Sequence, residues 1–144
     1  MCGIFGVNNF SSLEKAIDSL SLMNHRGPDS INHNVHNENF IGHVRLSILD
    51  LSENGNQPFS YNNIYLTVNG EIYNYKELKK KLKNSYDFRS ESDSEVLLYY
   101  YFENGIEDLI NDIDGMYAIS IHDYNDNNIY LVRDRYGIKP LYYS

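Results

Sequence analysis

The sequence has a single cysteine, Cys2, among 144 residues. One thiol excludes an internal disulfide and a cysteine-based zinc centre. Long apolar runs are missing too: nothing reaches the roughly 18 residues of a membrane-spanning helix. The N-terminus lacks a basic stretch followed by an apolar run, so no signal peptide is expected and the cytoplasm is the expected location. Basic residues are scarce. Twelve Lys and Arg face 20 Asp and Glu, the formal charge is −8, and the longest basic run is Lys79-Lys80-Lys81. Nucleic acid is therefore not expected as the main partner, nor is a membrane.

What is present fits one globular domain over residues 1–144. Apolar residues make up 42%, and 14 Tyr and 6 Phe separate the chain from a disordered acidic tail. Asparagine is abundant, with 19 copies. Asn, Tyr, Ile and Lys share A/T-rich codons, so the excess reads as genome composition rather than function.

Gly3–Val7 reads as a short buried strand. Ser11 and Glu14 have capping-box spacing ahead of a helix carrying Leu13, Ala16, Ile17, Leu20 and Met23, ending near Asn24. Residues 30–38 are polar and read as loop. Phe40–His43, Leu46–Leu51 and Ile64–Val68 read as strands, the last ending at the turn-forming pair Asn69-Gly70. Tyr75–Leu82 reads as a short basic helix. Ser92 or Asp93 can cap a helix with Val96, Leu97, Tyr100 and Tyr101 on one stripe, stopping at Asn104-Gly105. Met116–His122 and Ile129–Arg133 form an expected hairpin, and Leu141–Tyr143 can open a further strand. The pattern is α+β, with antiparallel sheets and helices packed on them.

Cys2 is the chemically loaded position. An initiator Met before a small residue is normally removed, which would make Cys2 the first residue. A thiolate is the best side-chain nucleophile near neutral pH. A free α-amino group has a pKa of about 7.7–8.0 and can serve as its base. Taken alone, a cysteine near a terminus is more often a small buried residue. Arg45 alone reads as a surface charge, Asp93 as a helix cap, and Asn69-Gly70 as a hairpin turn.

Together these residues stand in a recognisable order. Met1-Cys2-Gly3-Ile4-Phe5-Gly6-Val7 resembles the start of class II glutamine amidotransferases, which are N-terminal-nucleophile hydrolases. His25-Arg26-Gly27-Pro28-Asp29, Arg45-Leu46-Ser47-Ile48-Leu49-Asp50 and Asn69-Gly70-Glu71-Ile72-Tyr73-Asn74 narrow the likeness to the glutaminase domain of asparagine synthetases. Ser92-Asp93-Ser94-Glu95, Asp114-Gly115-Met116-Tyr117-Ala118 and the segment from Arg133 to Tyr142 agree.

The resemblance implies a four-layer αββα sandwich, here missing its last strands. It implies that Cys2 attacks the glutamine side-chain amide and forms a γ-glutamyl thioester. Asn69 and Gly70 would form the oxyanion hole. Arg45 would bind the α-carboxylate of L-glutamine, and Glu71 and Asp93 its α-ammonium. Leu46 and Ile48 would add backbone contacts, with Arg26 and Gly27 in a covering loop.

No cofactor or metal is expected in this chain. An SGG-D-S pyrophosphate-binding segment is absent, so ATP and Mg would belong to a separate or missing synthetase domain. A synthetase subunit or a second copy is the expected macromolecular partner. The alternatives are a non-catalytic glutamine-binding remnant or regulator, the glutaminase domain of another amidotransferase, or a hydrolase of a different amide. Weaker candidates are a metal site at His33 and His36 and the triad letters Ser120, His122 and Asp123.

Overall fold

The computed structural model describes residues 1–144. Strands β1 (Gly3–Val7), β2 (Ser30–His36) and β3 (Asn39–Arg45) form one antiparallel sheet in the order β1-β3-β2. Strands β4 (Phe59–Tyr61), β5 (Ile64–Ile72), β6 (Gly115–Asp123) and β7 (Asn128–Arg133) form the second, in chain order. Helix α1 (Leu13–Ser21) covers the first sheet; α2 (Tyr75–Lys81) and α3 (Glu95–Asp112) cover the second. The sheets face each other, with β1 and β3 against β5 and β6. The result is the expected α+β sandwich of four layers.

Side-chain alternation divides the core. Even-numbered residues of β5 (Ile64, Leu66, Val68, Ile72) join Ile119, Ile121, Val96, Leu97, Leu98 and Leu109 beneath the helices. Phe40 and Val44 pack with Ala16 and Leu20 beneath α1. The faces turned toward each other are more polar. They carry His43 and Arg45 from β3 and, by the period of two, Thr67, Asn69 and Glu71 from β5. Burial drives the pKa of His43, and likewise that of His122 on β6, down to about 4, so both are neutral at neutral pH.

Several sequence expectations need correction. Residues 30–38 hold β2: Asn32, Asn34 and His36 point inward, so the strand's alternation is polar-in and reads as loop. Leu46–Leu51 is not a strand; it is irregular chain leaving β3, with Ile48, Leu49 and Leu51 exposed. Ser12, not Ser11, caps α1 by accepting from Lys15 N–H, and the helix stops at Ser21. Asn69-Gly70 lies inside β5, which continues to Ile72. A Cβ at Gly70 would collide with the Met116 carbonyl and Tyr117 Cα, so glycine is demanded by close packing against β6 and not by a turn. Ser94 is the N-cap position of α3, and Asp93 is engaged elsewhere. Gly105 does not end α3; its φ of 79° kinks the helix, which resumes to Asp112. Leu141–Tyr143 forms no strand, and β4 was not anticipated.

The asparagine excess has a structural use. All five non-glycine residues with positive φ are asparagines: Asn9, Asn37, Asn62, Asn63 and Asn127. Asn62-Asn63 makes the two-residue turn of the β4–β5 hairpin, where both residues must be left-handed. Asparagine tolerates that region better than other L-residues.

Candidate active site

Strand register builds the site. Gly3 pairs with Val44, so Cys2 falls beside Arg45 on the inner face of the first sheet. The Cys2 Sγ lies 3.4 Å from Leu46 N, which donates to it, and 3.7 Å from the Leu46 carbonyl, which can accept its proton. Arg26 Nε donates to the Cys2 carbonyl at 3.1 Å. The Gly27 position packs directly on the Val44–Arg45 backbone, where a side chain would not fit. The segment 25–29 thus braces Cys2 from behind. Arg26 and Gly27 do not line the cavity in front of it.

That cavity is lined by Cys2, Arg45, Leu46, Ile48, Gly70, Glu71 and Asp93 among others. Asn69 is outside the lining, buried between the sheets on the face that also carries Glu71. The Arg45 guanidinium is buried and bent against Gly55. Its Nη1 donates to Ser52 O at 2.7 Å and Asn56 Oδ1 at 2.9 Å, and its Nη2 donates to Asp50 O. A guanidinium has five N–H groups, so Nε–H and one Nη2–H remain for a ligand. Two donors on a planar fork suit a carboxylate.

The opposite wall is anionic. Asp93 Oδ2 accepts Ile72 N–H at 2.6 Å, and its Oδ1 accepts from Ser94 Oγ at 3.2 Å. Burial lifts the Asp93 carboxyl above the usual carboxylate range. Burial also lifts Glu71, the Asp93 charge adds to it, and Lys139 opposes it. Neither forms an ion pair in the protein, since the only salt bridge joins Lys81 and Asp112. Two destabilised carboxylates with no salt-bridge partner suit a positively charged ligand group.

Residues outside the expected set shape the site. Asp29 accepts Ser47 N–H at 2.7 Å and anchors the segment behind Leu46. Asp50 accepts from Ser52 N, Ser52 Oγ and Glu91 N, which hold its carboxyl below the usual range and tie the Arg45 loop to the Asp93 loop. Gln57 lines the cavity and accepts Val68 N–H. Apart from the local Asp50–Ser52 contacts, these side chains serve backbone groups distant in sequence, and no local pattern signals that.

The other candidates do not assemble. His33 stacks on Phe40 and His36 on Tyr124. Ser120 and His122 share a 3.1 Å hydrogen bond, but Asp123 turns away to Tyr101 Oη at 2.8 Å. The Ser120–His122 pair borders a cavity of about 450 Å³ between β1 and β7. The Cys2 cavity is far smaller, about 50 Å³, but it alone combines a nucleophile with a cationic and an anionic wall.

Known proteins share this chain's pattern. Residues 1–144 match the family model described as glutamine amidotransferase domain. A Bacillus subtilis protein named asparagine synthetase [glutamine-hydrolyzing] 2 is 44% identical over all of this chain, which covers 20% of that protein. A probable asparagine synthetase [glutamine-hydrolyzing] of Acanthamoeba polyphaga mimivirus is 39% identical, again over the whole chain and 28% of its own length. A Gibberella zeae protein named amidase chry2 is 41% identical over 92% of this chain and 20% of its own. The chain thus spans between a fifth and a third of the length of these relatives. With a whole-length family match and an N-terminal cysteine set against Arg45, Glu71 and Asp93, the chain belongs to the glutamine amidotransferase domain family.

Proposed function

We propose that this chain hydrolyses L-glutamine to glutamate and ammonia through a Cys2 thioester. The observation that carries the reading is the single cavity shared by Cys2, Arg45, Gly70, Glu71 and Asp93. Arg45 takes the α-carboxylate with its two remaining donors, and Glu71 and Asp93 take the α-ammonium. The zwitterion is thereby fixed at one end, with the side-chain amide directed toward Sγ.

With Met1 removed, the Cys2 α-amine accepts the thiol proton as sulfur bonds to the amide carbon. The carbonyl oxygen becomes an oxyanion held by Gly70 N–H and the Asn69 carboxamide. The α-ammonium passes its proton to the departing nitrogen, the C–N bond breaks, and ammonia leaves. Water then attacks the thioester and gives its proton to the amine. The C–S bond breaks, glutamate leaves, and the thiol is restored.

The ammonia supplies an ATP-dependent amide-forming synthetase, as a further domain or a separate subunit, in the cytoplasm. Asparagine is the expected product, after the names of the relatives. ATP and Mg act on that synthetase and not on residues 1–144.

Ammonia and glutamate should appear in equal amounts from L-glutamine, with D-glutamine and asparagine inert. Equal release from any primary amide would contradict the reading. Glu71→Gln should weaken glutamine binding about tenfold, the worth of one charge-assisted contact. It should also stabilise the ligand-free protein at pH 7.5. A carboxyl whose folded pKa is raised favours folding below its unfolded pKa and loses that contribution as pH rises through the folded value. The gain in melting temperature should therefore shrink as pH falls toward 4. Glutamine binding by the unsubstituted chain should weaken over the same descent, as Glu71 and Asp93 gain protons. Thermal melts with and without glutamine across this range check both.

A further inference from the structure

Beyond Leu66, β5 has no strand beside it on the cavity side, because pairing with β4 covers only Ile64–Leu66. Main-chain groups alternate in direction along an antiparallel strand, so Val68, Gly70 and Ile72 turn theirs to this open side while their neighbours serve β6. Three side chains stand in for the absent strand. Gln57 Oε1 accepts Val68 N–H at 2.6 Å. His43 Nε2 donates to the Val68 carbonyl at 3.1 Å, which fixes the proton on Nε2 because a carbonyl only accepts. Asp93 Oδ2 accepts Ile72 N–H at 2.6 Å. Gly70 lies between these clamps with its N–H on the same open side.

We infer that Gln57 and His43 are positioning residues, which by holding both main-chain groups of Val68 set the direction of the Gly70 N–H and the Asn69 carboxamide. The inference rests on the proposed glutaminase reading. Glycine at 70 has no side chain to restrain its backbone, and one end of this edge would otherwise be free to twist. His43 spans the sandwich from the opposite sheet and is 1% exposed. Its Nδ1 is buried with no partner. The histidine thus leaves one of its own polar atoms unpaired while satisfying the Val68 carbonyl, which an apolar side chain would strand, so its place here is explained by the bond it makes to Val68. A shift of about 1 Å in an oxyanion donor can cost on the order of a hundredfold in rate.

The test compares His43→Leu, His43→Gln and Gln57→Leu in the full chain. In His43→Leu and Gln57→Leu, kcat for glutamine should fall about 10- to 100-fold with KM within about threefold. The γ-aldehyde analogue of glutamine, which adds the Cys2 thiol as a tetrahedral hemithioacetal, should lose affinity by the same factor. Glutamate, which makes no oxyanion, should bind as before. His43→Gln keeps a donor and should recover most of the rate. Gln57→Leu carries the test should His43→Leu not fold. Unchanged kcat and aldehyde affinity in folded variants would overturn the inference, as would glutamate affinity falling in step with kcat. An unsubstituted chain with no turnover overturns the glutaminase reading, and the positioning role falls with it.

Discussion

Cys2→Ala should leave a folded chain that glutamine still stabilises and that releases no ammonia, a loss of at least about 10⁴-fold. The thiol is half-exposed and its hydrogen bonds are to the Leu46 amide and carbonyl, so its removal costs little stability. The binding groups lie on other elements. Arg45 is held by Ser52, Asn56 and Asp50, and Asp93 by Ile72 and Ser94, none of which depends on Sγ. The variant thus separates chemistry from binding. Ammonia release that survives Cys2→Ala would remove the thioester from the mechanism.

The second large effect concerns the base. In the proposed reaction no side chain shuttles the proton; the α-amine of Cys2 does. Amine and thiol belong to one residue, so only their rotation needs fixing. Arg26 pins the Cys2 carbonyl, and Leu46 pins the sulfur. An uncleaved N-terminal tag turns the amine into an amide and abolishes its basicity. The tagged chain should lose about 10² to 10⁴ in kcat, the usual worth of a general base. Glutamine-dependent thermal stabilisation should persist. Proteolysis that leaves Cys2 as the first residue should restore turnover, measured as ammonia release before and after cleavage. A tagged chain as fast as the freed one would assign the base elsewhere.

Much of the site was readable because its residues stand in short segments of distinctive chemistry. Cys2, Arg45, Gly70, Glu71 and Asp93 are each recognisable in their own segments. Their meeting was not readable from spacing. It depends on the Gly3–Val44 register, set by pairing across 41 residues of sequence. The polar layer between the sheets was the main obstacle. β2 presents Asn32, Asn34 and His36 inward, which inverts the usual hydrophobic-in pattern and disguises the strand. Ile48 and Leu49 mislead in the opposite direction, being apolar yet exposed at the cavity. The roles of Gln57, His43, Asp29 and Asp50 were not readable, although Asp29 and Asp50 stand in recognisable motifs, because each acts on a backbone group. Backbone groups are the same at every position, so the sequence marks no partner for them.

The central claim is that Cys2 is an N-terminal, substrate-directed nucleophile. Intact mass after incubation with 6-diazo-5-oxo-L-norleucine tests it most directly. This glutamine analogue loses N₂ as the thiol sulfur displaces it, leaving a stable thioether. The account predicts a folded protein without Met1 that carries one adduct, mapped to Cys2 and suppressed by excess L-glutamine. A folded protein that retains Met1, or whose Cys2 stays unmodified, would contradict it.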